Sequence, residues 1–346
     1  MIDFRYHLVS IVAVFLALAI GIVLGSTELQ GPTYNFLDRT TAKLQTELDQ
    51  ASSQRDTAQV QANAGEAYAQ AVQPVVLHNL LAGQRLLIVT EPGAPASVVT
   101  AISSAATADA GATVTGQIAL QPKFFDTSDT TLDGLNQINL AMAQSDGITL
   151  DSGAIYQQQA AQVIAGEILS KSPGLPAIQQ TSNQQDTNAQ TMLAAYANSG
   201  FLTTSGQPFT QATLAVIVTP QNVPGDGSAD QLDQLLVPVT EELAARSSAT
   251  VVAGTSAGSG PGSPIAVLRT SNVANQVSTV DDADFVSGQS VVIQALAAQL
   301  NGGKPGSYGI PGNGATAVAP TPAPTPGASA SPSATASSGS KKKAQK

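Results

Sequence analysis

Thr213-Leu-Ala-Val-Ile-Val-Thr219 carries five consecutive apolar side chains and is closed at once by Pro220. A run this short, rich in branched side chains and bounded by a breaker, reads as a strand in the middle of a sheet. Reading outward from it gives the rest of the body. On the N-terminal side, Arg85–Thr90 (RLLIVT) is a buried strand that ends in the turn Glu91-Pro92-Gly93. Residues 95–109 are helix-compatible up to Gly111, and Ala112–Leu120 is a second strand. A helix over 131–144, a short strand over 146–150 (DGITL), an amphipathic helix over Ala154–Leu169 and a helix over 188–199 follow. On the C-terminal side, residues 229–246 form a helix kinked or split at Pro238. Thr250–Gly254, Ile265–Leu268 and Val277–Val280 read as strands, and Phe285–Leu300 as a last helix N-capped by Asp284. Strands alternating with helices of this length predict an α/β fold with a mainly parallel sheet, of the Rossmann or flavodoxin kind, over residues 80–301.

Three segments surround that body. Residues 1–30 hold Leu8–Gly25 (LVSIVAVFLALAIGIVLG), 18 residues without a charge. That length reaches the lower range for a spanning helix. Arg5 before it and Glu28 after it place the N-terminus in the cytoplasm and the remainder outside, by the positive-inside rule. The run ends in Val23-Leu24-Gly25-Ser26-Thr27, a poor cleavage site, so it reads as an uncleaved anchor rather than a signal peptide. Residues 31–79 are polar and helix-compatible. Leu37, Thr41, Leu44, Leu48, Ala51, Arg55, Ala58, Ala62, Gly65, Ala69 and Val72 recur at heptad spacing. This reads as a coiled-coil-like stalk, either a loose parallel pair or a helix docked on its own globular domain, with self-association the favoured reading. From 302 to 346 Gly, Pro, Ala, Ser and Thr dominate, ending in Lys341, Lys342, Lys343 and Lys346, which reads as a disordered tail.

Composition removes several functions. Residues 80–330 contain 17 acidic and 6 basic side chains, a balance of −11, which repels phosphates and argues against a nucleic-acid partner. The absence of Cys excludes disulfides, thiol catalysis and thiolate metal sites. Outside the membrane flank, where His7 lies, His78 is the one histidine, and no G-x-S-x-G elbow surrounds any Ser. No catalytic residue is assigned. The stretch Gly254–Gly262 follows a strand but is interrupted by Pro261 and is read as leading into another strand, so no cofactor site is assigned. Met142 and Met192 sit in apolar helical patterns and read as core; Asp281, Asp282 and Asp284 lack calcium-loop spacing and read as helix capping. No metal ligand is assigned.

Met1-Ile-Asp-Phe-Arg-Tyr-His-Leu-Val-Ser10, running into Val14–Gly25, resembles the MctB family. A second match lies in Ser278-Thr-Val-Asp-Asp282, the helix that follows, and Gly306-Ser-Tyr-Gly309. The resemblance covers about residues 1–310. It implies two things. The family label is copper-transport outer-membrane protein, which implies copper export or homeostasis. A SteB-like branch implies cell-wall remodelling at division beside a membrane protein, SteA. The family offers no catalytic residues to carry over. With no sulfur or histidine cluster in the chain, the first reading is a non-enzymatic, membrane-anchored scaffold with a SteA-like envelope partner, and copper export is the alternative. One apolar helix and no 9–11-residue alternating strands argue for a single-pass membrane protein over an outer-membrane pore.

Overall fold

The computed structural model describes residues 4–28, 30–171, 183–207, 210–221, 228–312 and 314–321. The chain falls into two compact units, residues 1–67 and 68–346. In the first, α1 (Phe4–Glu28) is the apolar helix expected as the anchor, and α2 (Gln30–Leu77) runs on into the second unit with Pro74 inside it. Among the described residues, α1 alone is long and apolar enough to cross a membrane, over Tyr6–Gly25. Every described apolar side chain on it is exposed. The helical stalk is present. A single chain shows that helix and not its pairing, and the Leu37 side chain lies outside the described ones.

The second unit is built on β1 (Arg85–Thr90), β2 (Thr113–Leu120), β3 (Leu202–Gly206), β4 (Leu214–Val218), β5 (Ala249–Ala253), β6 (Ser278–Val280) and β7 (Ser307–Tyr308). The strands form one sheet in the order β3-β2-β1-β4-β5-β6-β7. All neighbours are parallel except β2 and β3, which are antiparallel, with Gly116 opposite Gly206 and Leu120 opposite Leu202. The helices are α3 (Ala96–Ser104), α4 (Asp129–Asp146), α5 (Tyr156–Ile168), α6 (Asn183–Asn198), α7 (Ser228–Arg246), α8 (Pro264–Thr270) and α9 (Val286–Leu300). A π-turn over Ala105–Asp109 prolongs α3.

The alternation along the central strands divides the core in two. Leu87, Val89, Ala215, Ile217 and Val252 face a cluster with α4 to α8, through Leu135, Ile164, Met192, Leu236 and Ile265. Leu86, Ile88, Leu214, Val216 and Val251 face Leu77, Leu81, Val98, Ile102, Val292 and Leu296. Every residue of β1, β4 and β5 is buried, which is why these three read as continuous runs and not as alternating ones. The mainly parallel α/β expectation therefore holds.

Five local readings need correction. Residues 146–150 are not a strand. Gly147 ends α4 in the left-handed conformation (φ 67°), the amide of Ile148 bonds back to the Ala143 carbonyl, and Ile148 and Leu150 serve as packing on the core. Residues 265–268 are helix, not strand: Ser263 Oγ accepts from the Ala266 amide at 3.2 Å, with Pro264 at the first helical position. The helix is not split at Pro238, which lies inside α7. Asp284 does not cap α9, whose N-cap is Phe285 with no side-chain bond. It accepts instead from the amide and hydroxyl of Ser256, at 2.8 and 2.6 Å. The last strand, β7, comes from the segment whose composition reads as tail, with Tyr308 buried and bridged to Ala317; residues 322–346 lie outside the described ones.

Candidate functional site

The C-terminal motif is a buried clasp. β6 ends at Val280, and Asp281 follows with its side chain fully buried. Arg269, from α8, reaches it with Nη1 at 2.8 Å from Oδ2. The same guanidinium donates to Thr279 Oγ1 at 2.9 Å and to the Tyr308 carbonyl at 2.7 Å. The other carboxylate oxygen accepts from the Ile310 amide at 2.8 Å. The five residues of this network come from α8, β6, β7 and the positions just after the two strands, so one ion pair holds the far edge of the sheet closed. Gly309 (φ 122°) passes so near Asp281 that a Cβ would collide with the carboxylate. Asp281 and Asp284 thus serve as ion-pair and loop partners, not as helix caps, and Asp282 accepts from the Phe285 amide through its carbonyl at 3.0 Å.

The Gly-rich loop after β5 is followed by a helix, α8, contrary to the expected strand. It still offers no anion cradle. The N-terminal amides of α8 are met by Ser263 and interrupted by Pro264. Gly258 lies where a Cβ would be 2.6 Å from the Pro220 carbonyl, so the loop packs on its own chain. At the carboxyl ends of β1 and β2 a hollow of 390 Å³ is lined by Thr90, Gly93, Gln117, Gln121 and others. Its amides are engaged internally: Gln121 Nε2 donates to the Ala119 carbonyl at 3.2 Å, and Gln117 Nε2 lies 3.5 Å from Thr90 Oγ1.

The side chains with some affinity for copper(I) are dispersed by role. His7 is exposed on α1. His78 is exposed just past α2, with Nε2 2.9 Å from Asn79 Nδ2. Met192 is fully buried on α6. Met142 on α4 packs against the same core and lines a groove of 610 Å³ with Lys123, Thr131, Ser199 and Phe201. The α4–α6 contact is fixed by Tyr196, whose hydroxyl donates to Asn139 Oδ1 at 2.7 Å, while Asn139 Nδ2 donates to the Tyr156 carbonyl at 2.8 Å. Burial, and secondarily Asp146, pushes the Tyr196 hydroxyl far above its ordinary value and keeps it a neutral donor. Among the described residues no group of three or more His, Asp or Glu is placed to hold a metal ion. Sequence reasoning missed the Arg269–Asp281 pair. Its one signal was a basic and an acidic residue in a stretch poor in charge.

Comparison with known proteins covers almost the whole chain. Residues 1–320 match the family described as copper transport outer membrane protein, MctB. A protein named Copper transporter MctB from Mycobacterium tuberculosis (strain ATCC 25618 / H37Rv) is 30% identical over 322 residues, 92% of this chain and 99% of that one. The protein of the same name from Mycobacterium leprae (strain TN) is 28% identical over 325 residues, again 92% and 99%. With the apolar helix α1, the α/β body and the clasped C-terminal motif all inside the matched span, this chain belongs to the MctB family.

Proposed function

We propose that the chain works in copper transport at the cell envelope, as a membrane-anchored component without catalytic activity. The observation that carries this reading is the end-to-end similarity to proteins named Copper transporter MctB. It reverses the order of the two readings drawn from sequence: the names of the relatives support copper handling and lend none to a cell-wall scaffold with a SteA-like partner. Two features of the structure support an indirect role for such a component. A copper ion crossing a membrane needs a polar or ligand-lined path, and α1 is a single helix with an apolar surface. The body is an open sheet with helices packed on both faces, a filled core and not a channel. The path therefore belongs to a partner or an assembly. The body, held outside the cytoplasm by α1, acts on that path by contact. The few soft side chains favour this indirect role over tight copper binding by the chain alone.

Deleting the chain and measuring cell copper by mass spectrometry under copper load tests the proposal. The expected result is raised cell copper, restored by the full chain and not by a chain whose α1 is exchanged for a cleavable signal peptide. Unchanged copper in the deletion at every load would overturn it.

A further inference from the structure

The long helix α2 presents apolar side chains that nothing in its own unit covers. Every residue from 38 to 65 is exposed, Leu44 at 54% and Leu48 at 69% among them. These two belong to the heptad series from Leu37 to Val72, whose inner members are Thr41, Ala51, Arg55, Ala58, Ala62 and Gly65. We propose that this face is covered by a second copy of the same chain, in a parallel, in-register helix pair.

Three observations select that occupant. Read four and three residues apart, the spacing of a two-helix seam, the series collects Leu37, Leu44 and Leu48 with four small alanines, while the exposed Val60 and Tyr68 lie off it. The flanking positions that would face each other across such a pair are Asp38, Gln45, Ser52, Gln59 and Glu66 on one side and Thr40, Glu47, Gln54 and Gln61 on the other. These are mostly neutral, so two copies meet along α2 with little repulsion, whereas the body carries its excess of 11 negative charges. The size sets the strength. The exposed stretch, residues 38–65, is about 42 Å of helix at 1.5 Å per residue. A strip about 10 Å wide on each partner then buries roughly 800 Å², below the bound for an interface stable on its own. That weak pairing is strengthened because both copies carry α1 at the same end. A shared membrane aligns them in parallel and raises their effective concentration. Arg55 is the flaw in the seam. It would face its own copy, and it is held off by a 3.0 Å pair with Asp56 of the same helix.

The chain has no Cys, so one introduced thiol reports on one position. Full-length protein in its own membrane is given Leu44→Cys, Ala51→Cys or Ala58→Cys in the seam, or Thr46→Cys or Ser53→Cys on the outer face, and oxidised with diamide. The expected outcome is several-fold more disulfide-linked dimer at all three seam positions than at the outer two. Linkage of equal yield on both faces means random collision and overturns the proposal, as does no linkage at any position. Linkage at only one of the three seam positions means an antiparallel or staggered pair and overturns the register. With Ala58→Cys as the reporter, Leu44→Asp together with Leu48→Asp should abolish the dimer, and Arg55→Leu should raise its yield. An unchanged or lower yield with Arg55→Leu counts against a heptad seam even where the Asp variants misfold.

Discussion

Leu44 on α2 and Leu236 on α7 are the same side chain in the same kind of secondary structure, yet the first is 54% exposed and the second 1%. The contrast runs through the two regions. From α1 through residue 65 nearly every described side chain is open. In the body, β1, β4 and β5 have no open residue at all. A body of this kind holds itself together by burying its own apolar surface and closing its polar groups on one another. The two long helices α1 and α2 hold their shape through backbone bonds and a few local side-chain pairs such as Lys43–Glu47, and their apolar side chains stay uncovered within the first unit. A mutation should therefore mean different things in the two places.

The largest expected effect falls on the buried pair. Arg269→Met leaves Asp281 without its guanidinium in a site where both side chains are at most 5% exposed. The expected loss is about 3–5 kcal/mol of body stability, the range for breaking a buried pair by removing one partner. Urea unfolding followed by tyrosine fluorescence would read it, and a loss below about 1 kcal/mol would mean that the clasp does not close the sheet edge. Next comes one substitution made twice. Gly288→Ala in α9 puts a methyl group into the Asp282 carbonyl, and overpacking of that kind costs about 1–3 kcal/mol. Gly65→Ala in α2 meets nothing within 4 Å and should add helix stability of up to about 1 kcal/mol. Opposite signs in the two thermal melts sharpen the comparison, and the same sign breaks it.

The smallest expected effect is a slope. Burial, and then the nearby Asp146, raises the Glu167 carboxyl above its ordinary 4.5. A carboxyl with a raised folded value contributes stability that is complete at low pH and is lost as pH climbs through that value. Glu167→Gln should leave the urea midpoint flatter from pH 4.5 upward than in the unchanged chain. An identical slope would mean that the group is solvated in the folded state.

Much of the body was legible because full burial leaves a mark in sequence. Leu214–Val218 and Leu87–Val89 can be nothing but interior strand once the flanking turns are read. β3 left no such mark. Its Leu-Thr-Thr-Ser-Gly is an edge strand with one buried residue, so neither alternation nor a run distinguishes it from a loop. Residues 264–270 misled for a related reason. A four-residue apolar run fits strand or helix equally, and the deciding marks, Ser263 before it and Pro264 at its first turn, stand outside the run. The clasp was illegible on physical grounds. Arg269 finds Asp281 12 residues on and the Tyr308 carbonyl 39 residues on, and no local pattern encodes such a meeting.

The strand order carries a consequence in time. β1 lies between β2 and β4, and the bond from the Arg85 amide to Thr213 Oγ1 joins residues 128 apart. The middle of the sheet cannot exist until β4 has been synthesised. The apolar helix α1 is complete at Glu28, some 190 residues earlier. At ordinary synthesis rates that interval is on the order of ten seconds or more. A nascent chain thus presents a finished apolar helix while its body is still unable to fold. Whatever that helix engages, it can engage before the first stable tertiary structure exists.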